Sequence, residues 1–271
     1  MEKNQSINVD LRKENLRLLV GLAITLVAVN GFLSTMIGSD ESNVYQDVTR
    51  MGTAAGALAL SLVVVVKQGI GGLFGRSYLA LAIGLACWFS AECIWGYYEI
   101  GLGDQSPFPS AADAVWLASY AGIGYYLFSL SKFYGAGLKK WKIIAVAATI
   151  ITFSSIYVYS LVGVSLDPTA DDLTPLLISV AYPILDAIML VPAVLMVLNG
   201  GKGKLTYIPW VFIGLVFMGI ADTLLGFSAV TGFQDDTTFI TMVYNASYMW
   251  MAAGMIWHVR FVLSGTRMMF K

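Results

Sequence analysis

Charged residues are scarce in this sequence: Asp, Glu, Lys and Arg make up 12% of its 271 residues, against roughly 25% in soluble domains. So little charge cannot coat a water-soluble particle of this size, which excludes a soluble globular protein. Two cysteines exclude a disulfide-rich fold, and a single histidine, His258, excludes a multi-histidine metal site. The formal net charge of −1 offers no basic surface to nucleic acid, so no nucleic-acid partner is expected.

Hydrophobic residues make up 58% of the chain. A helix needs about 20 mostly apolar residues to cross a bilayer. Eight segments meet this requirement, of which the second is the shortest, and they predict an all-α integral membrane protein with eight transmembrane helices. The predicted spans are residues 17–38, 51–66, 78–100, 111–133, 143–163, 174–198, 208–232 and 238–263.

The charges between the predicted spans indicate the orientation of the chain. If the N-terminus is cytoplasmic, every basic residue lies on the inner side except Arg50, and the outer loops are acidic. This positive-inside pattern predicts that both termini are cytoplasmic in a multi-pass protein of the plasma membrane, surrounded by membrane lipids. The first span is too long for a cleaved signal peptide, so we expect it to be retained.

Short sequences recur at a fixed distance in the two halves of the chain. Three matches are separated by 130 residues and a fourth by 128. They predict a tandem 4+4 repeat whose halves run in parallel and are related by a pseudo-twofold axis along the membrane normal. Gly, Ala and Leu are common in membrane helices, so chance similarity is the alternative. The matches are Ile83-Gly84-Leu85 with Ile213-Gly214-Leu215, Ala91-Glu92 with Ala221-Asp222, Gly96-Tyr97 with Gly226-Phe227, and Ala118-Ser119-Tyr120 with Ala246-Ser247-Tyr248.

These boundaries give the domain organisation. Residues 1–16 are predicted to form a cytoplasmic tail, 17–133 the first four-helix repeat, 134–263 the second, and 264–271 a short cytoplasmic tail.

Three acidic residues, Glu92, Asp186 and Asp222, lie well inside predicted spans. Ionisable groups in a bilayer cost several kcal/mol and usually face the interior of the bundle at functional positions. No Lys or Arg lies at the depth of these acids, so we expect the three carboxyls to be protonated, hydrated or occupied by a cation. At about 1.5 Å per residue, several polar residues reach a similar depth. The predicted ligand-binding residues are Glu92, Tyr120, Tyr182, Asp186, Asp222 and Asn245, with Asp113 as a further candidate.

Several of these residues have a purely structural alternative. Pro183 removes a backbone donor, so Asp186 would cap a kinked helix instead of binding a ligand. Asp113 follows Ser110 by three residues, the spacing of a capping box, and a capping role is compatible with a ligand role. We expect Arg50 to be able to reach Asp113.

The repeat also predicts partners for the paired acids. Tyr182 and Asn245 are the expected partners of Asp222, and Tyr120 is the expected partner of Glu92. His258 is expected near the inner membrane interface, and the two cysteines in the core.

Three motifs suggest a relationship to known membrane modules. Their order and spacing resemble the multi-pass sensor modules that precede diguanylate cyclase or histidine kinase domains in bacteria and archaea, over residues 78–260. The resemblance implies a module that senses a signal at the outer side or within the membrane. Only residues 264–271 follow the last span, so we expect signalling through a cytoplasmic or membrane partner protein. The motifs are Pro109-Ser110-Ala111-Ala112-Asp113-Ala114-Val115-Trp116-Leu117-Ala118-Ser119-Tyr120, Ala181-Tyr182-Pro183-Ile184-Leu185-Asp186 and Ile220-Ala221-Asp222-Thr223.

The sequence leaves three functions open. The favoured one is a receptor-like module with a polar cavity in the outer half, whose ligand is a cation, an amine or a proton. The alternative is a small proton- or cation-coupled transporter, because parallel repeats, buried acids and broken helices are features of transporters. A third is an intramembrane lipid hydrolase like the eight-span lysoplasmalogenase-like proteins, against which the absence of an internal histidine counts. No catalytic motif occurs, so we expect neither enzymatic activity nor a cofactor or metal.

Overall fold

A computed structural model describes residues 39–104, 108–134, 139–165, 173–199, 210–231 and 237–263, together with Arg17, Gly21, Ile24, Ala28 and Phe32. Nearly all of these residues are helical and none belongs to a strand, which confirms the all-α prediction for this part of the chain. The five isolated positions are helical and exposed, in agreement with a helix in the first predicted span. The predicted tails, 1–16 and 264–271, lie outside the described residues.

The described ranges contain seven α-helices. The second of these helices continues into a π-helix at Tyr97–Gly101, and the last continues into another at His258–Leu263. The helices are α1 Ser39–Gln68, α2 Gly72–Gly96, α3 Ala111–Tyr134, α4 Lys140–Ser165, α5 Thr174–Asn199, α6 Val211–Thr231 and α7 Thr237–Trp257.

Four described segments are long and apolar enough to cross a membrane: Val44–Gln68, Gly72–Gly101, Lys140–Gly163 and Thr174–Leu198. A shorter apolar helix covers Val211–Leu225. These helices are typical of a helical membrane protein, the class that the composition predicts.

The start of α1 differs from the prediction. α1 begins at Ser39, well before the predicted start of that span at residue 51. Most of the additional residues are polar, and the search for apolar runs therefore places the start of the span after them. Because they are helical, Gln46, Asp47 and Arg50 lie on α1 rather than in a loop.

Two pairs of helices make close contact through glycine. A Cβ atom on Gly84 of α2 would lie 3.1 Å from the carbonyl oxygen of Ser119 and 3.1 Å from the backbone nitrogen of Ile123, both on α3. A Cβ atom on Gly214 of α6 would lie 2.7 Å from the carbonyl oxygen of Ser247 on α7, and 2.9 Å from the nitrogen of Met251. Both helix pairs therefore approach backbone to backbone, where a side chain larger than hydrogen does not fit.

The remaining helix contacts complete the bundle, and two of them join the group α1–α3 to the group α5–α7. α1 packs on α2 and on α7, whereas α5 packs on α6 and on α3. α4 packs mainly on α5, and none of its apolar window is buried. The two groups, α1–α3 and α5–α7, are thus held together through the contacts α1 with α7 and α3 with α5.

Polar and apolar side chains separate along the bundle. One half contains the large buried apolar side chains, and we call it the apolar half. The opposite half contains the polar residues described below, and we call it the polar half. The fully buried side chains of the apolar half include Tyr78, Leu81, Leu85, Ile123, Leu127, Leu130, Met196, Phe212, Met251 and Met255.

Candidate functional site

The centre of the polar half is a contact between two aspartates. Asp186 on α5 is 7% exposed, and its carboxyl lies within hydrogen-bonding reach of the partly buried Asp222 on α6. The Tyr120 hydroxyl on α3 donates to Oδ1 of Asp186 at 2.5 Å. The Tyr244 hydroxyl on α7 donates to Oδ1 of Asp222 at 2.6 Å. Four helices therefore meet at one pair of carboxyl groups, which we call the aspartate pair.

No basic side chain of the described ranges forms an ion pair with Asp186 or Asp222. Two ionised carboxylates in contact repel each other strongly in a low-dielectric interior. A pair in this position is stable when it retains a proton or holds a cation.

Glu92 is in a different environment. It is 5% exposed, and Oε1 accepts a hydrogen bond of 3.0 Å from the Tyr248 hydroxyl of α7. Nε of Arg50 lies 3.8 Å from its Oε2, and Arg50 also pairs with Asp47 one turn earlier on α1. The prediction that Glu92 lacks a basic partner is wrong, because the early start of α1 brings Arg50 into the bundle.

Asp113 has two roles. Oδ2 accepts a hydrogen bond of 2.8 Å from the backbone nitrogen of Ser110, while Oγ of Ser110 accepts one of 3.2 Å from the nitrogen of Ala112. These bonds are the predicted capping box. Oδ1 also accepts a hydrogen bond of 3.0 Å from the Tyr182 hydroxyl, which joins α3 to α5. Arg50 pairs with Asp47 and Glu92, and not with Asp113 as expected.

Asn245 joins α7 to α1. Its Oδ1 accepts a hydrogen bond of 2.8 Å from Thr53, and its Nδ2 donates one of 3.3 Å to Thr49. One turn earlier, the Thr241 hydroxyl donates to Oε1 of Gln46 at 2.9 Å. Asn245 is therefore bonded to α1 and not to Asp222.

The predicted partners of the acids are wrong in detail. Tyr120 bonds Asp186 rather than Glu92, and Tyr182 bonds Asp113 rather than Asp222. The tyrosines that bond Asp222 and Glu92, Tyr244 and Tyr248, are not among the residues predicted from the sequence. A signal for them exists in the sequence, because Tyr248 matches Tyr120 in the predicted repeat, and Tyr244 precedes Tyr248 by one turn on the same helical face.

Other candidate chemistry is absent from the described residues. They contain no group of three or more His, Cys, Asp or Glu side chains that could hold a metal ion. Both cysteines are free and half-buried. His258 is 2% exposed, and its Nε2 lies 3.1 Å from Oε1 of Gln68, the last residue of α1.

Fold and site together define a helical membrane protein with a buried polar network in one half. No family model, curated protein or solved structure matches this chain.

Proposed function

We propose that the chain is a receptor-like membrane module that binds a ligand at the aspartate pair and passes the signal through α5 to a partner protein. In this proposal the chain has eight spans in a 4+4 repeat and both termini in the cytoplasm, so the polar half faces outward. The observation that carries the proposal is the contact between Asp186 and Asp222, with hydroxyls from α3 and α7 bonded to it.

The cost of burying acids supports a binding role. Each acid inside a bilayer costs several kcal/mol unless a partner compensates it. Asp186 and Asp222 are on neighbouring helices and approach each other instead of a basic residue. An ordinary structural contact does not need two acids at this position, whereas a site that exchanges a proton or a cation does.

The apolar half supports binding over passage. Five helices contribute to both halves of the bundle: α2, α3, α5, α6 and α7. Their large buried side chains in the apolar half include, in that order, Leu85, Ile123, Met196, Phe212 and Met251. These buried side chains fill the bundle beyond the aspartate pair, which favours access of a ligand from the polar half.

α5 is the element best placed to transmit the signal. Its first half is held by Tyr182 to Asp113 and by Asp186 to Tyr120 and Asp222. Its interior contains Pro183 and Pro192, each of which removes one helical hydrogen bond and lowers the cost of bending. A ligand that replaces the bonds of Asp186 would favour a second position of α5.

The inner face offers a contact for a partner. Lys139, Lys140 and Lys142 are exposed at the start of α4, which packs on α5. In the proposed orientation this basic patch faces the cytoplasm, where it would contact a protein partner or anionic lipid.

Distance measurements on spin labels test the movement of α5. Leu198 near the end of α5 and Phe133 near the end of α3 are 62% and 55% exposed, so both accept a label in a chain lacking Cys87 and Cys93. Asp222→Asn removes the repulsion within the aspartate pair and is expected to shift the distance between the labels. An unchanged distance would contradict transmission through α5.

Crosslinking in native membranes tests the partner. A lysine-reactive crosslinker should capture one specific protein through the patch at Lys139, Lys140 and Lys142. The same chain with these lysines changed to Gln is the matched control and should lose that product. If wild type and control give the same products, signalling through this face is refuted.

A second function, a cation-coupled carrier, is favoured by the aspartate pair itself, since a carrier needs a site that exchanges a proton for a cation. Uptake into proteoliposomes driven by a pH gradient separates the two functions. The receptor-like proposal predicts no accumulation above that of empty liposomes.

A further inference from the structure

The ends of three helices meet around His258, which begins the π-helix that continues α7. Its Nε2 lies 3.1 Å from Oε1 of Gln68, the last residue of α1. Its ring centroid lies 4.4 Å from that of Tyr78 and 6.4 Å from that of Phe74, both in the first two turns of α2. The end of α1, the start of α2 and the end of α7 are therefore held together at this point, which we call the His258 joint.

Each of these helix ends has one exposed basic residue next to the His258 joint. Lys67 is the penultimate residue of α1, Arg76 lies between the two aromatic residues of α2, and Arg260 is the third residue of the π-helix. We call these three residues the basic triad. Asp and Glu are absent from residues 51–91 and 237–271, so no acidic residue in the adjoining sequence balances the charge of the triad.

Large apolar side chains are exposed beside these cations. Val66 in the last turn of α1 is 83% exposed, and Leu73 in the first turn of α2 is 41% exposed. Ile70, in the short connection between the two helices, is 65% exposed. The surface around the joint therefore combines positive charge with apolar side chains, an arrangement suited to the boundary between lipid head groups and hydrocarbon.

We propose that the basic triad binds the head group of an anionic phospholipid. The three cations attract its negatively charged phosphate, and its acyl chains lie along the exposed apolar side chains of the helix ends. A zwitterionic phospholipid fits less well, because its ammonium group lies close to basic side chains that repel it. This inference does not rest on the aspartate pair, which is formed by other residues in the polar half.

A lipid bound at the triad stabilises the fold because it touches three helices at once. Its head group adds a contact between α1, α2 and the π-helix to those that His258 already makes. A ligand that binds the folded chain and not the unfolded one raises the unfolding temperature. By contrast, Lys139, Lys140 and Lys142 lie at the start of α4 alone, so a lipid at that segment joins no helices and stabilises the fold less.

Thermal unfolding of the full chain in lipid nanodiscs tests the proposal. The chain is compared in phosphatidylcholine alone and in phosphatidylcholine mixed with phosphatidylglycerol, which should raise the unfolding temperature by about 2–4 °C. Native mass spectrometry should show phosphatidylglycerol retained on the chain in preference to phosphatidylcholine. Equal unfolding temperatures in the two lipids, or retention without preference, would overturn the proposal on the wild-type chain alone.

Two variants with the same change in charge locate the site. The first changes all three residues of the basic triad to Gln, and it should lose the preference for phosphatidylglycerol together with most of the rise in unfolding temperature. Arg76→Gln alone keeps two of the cations and should lose part of the rise. The control changes the three α4 lysines to Gln and should respond like wild type. Equal responses of the triad variant and the control would assign the effect to overall surface charge and refute the site.

A soluble head group separates a lipid site from a site for a free phosphate ester. Glycerophosphoglycerol is the head group of phosphatidylglycerol without its acyl chains. Added to the chain in phosphatidylcholine nanodiscs, it should leave the unfolding temperature unchanged, because it makes no contact with the exposed apolar side chains. A rise equal to that caused by phosphatidylglycerol would assign the triad to a soluble phosphate ester and overturn the assignment to lipid.

Discussion

At the scale of single residues, the sequence identifies which acids matter better than it identifies their partners. Glu92, Asp186 and Asp222 stand out because an acid inside an apolar run is costly. Their partners depend on the rotation of each helix about its axis and on the start of α1, and hydropathy determines neither. Arg50 is the clearest example, since hydropathy places it at the outer boundary, whereas in the structure it lies beside Glu92.

The hydroxyl of Tyr244 offers a test of the aspartate pair. Tyr244→Phe removes the donor to Asp222 and keeps the ring, so we expect a loss of about 1–3 kcal/mol in the free energy of unfolding. Tyr125→Phe, at an exposed position of α3, is the control and should change little. Steric-trapping or detergent unfolding measures both. Equal stability of the two variants would contradict the bond between Tyr244 and Asp222.

Arg50 should stabilise the first group of helices by compensating two buried acids. Arg50→Met leaves Asp47 and Glu92 without a cation, and breaking a buried pair in this way costs about 3–5 kcal/mol. The double variant Arg50→Met/Glu92→Gln should regain part of that loss. Unfolding of the wild type, Arg50→Met, Glu92→Gln and the double variant gives the coupling, and additive effects would show that Arg50 and Glu92 do not interact.

At the scale of helices, apolar runs predict the hydrocarbon-facing length well. The predicted spans 111–133 and 174–198 agree with α3 and α5 to within a residue or two. α1 is the exception because most of residues 39–50 are polar, and their contacts with α7 include hydrogen bonds such as that of Gln46 with Thr241. An apolar run does not mark the beginning of such a helix.

The close contacts between helices predict that Gly→Ala substitutions at three positions lower stability by different amounts. Gly214→Ala places a Cβ atom 2.7 Å from a carbonyl oxygen of α7, so it should separate α6 from α7 and lower stability. Gly84→Ala meets the backbone of α3 at 3.1 Å and should cost less. Gly56→Ala meets nothing within 4 Å and is the control. Thermal unfolding that ranks Gly56→Ala as the most harmful would contradict this packing.

At the scale of the whole molecule, the repeated pattern predicts more of the site than hydropathy does. The expected match of Glu92 with Asp222 and of Tyr120 with Tyr248 is read from the sequence alone. The contact of Arg50 with Glu92 is not, because it depends on where α1 begins.

The proposed orientation predicts the sides from which two positions are accessible. In a chain lacking both native cysteines, Asp104→Cys should react with a membrane-impermeant maleimide added outside intact cells. Lys140→Cys should react after the cells are opened, because the basic segments are expected in the cytoplasm. Both positions are exposed. Labelling of Lys140→Cys in intact cells would invert the orientation.

Infrared difference spectroscopy of the carboxyl stretch tests the central claim, the exchange of a proton or cation at the aspartate pair, most directly. The account predicts a protonated-carboxyl band in the wild-type chain. The band should disappear in Asp222→Asn and persist in Asp104→Asn. A wild-type chain without such a band, or a band that Asp222→Asn leaves intact, would contradict the account.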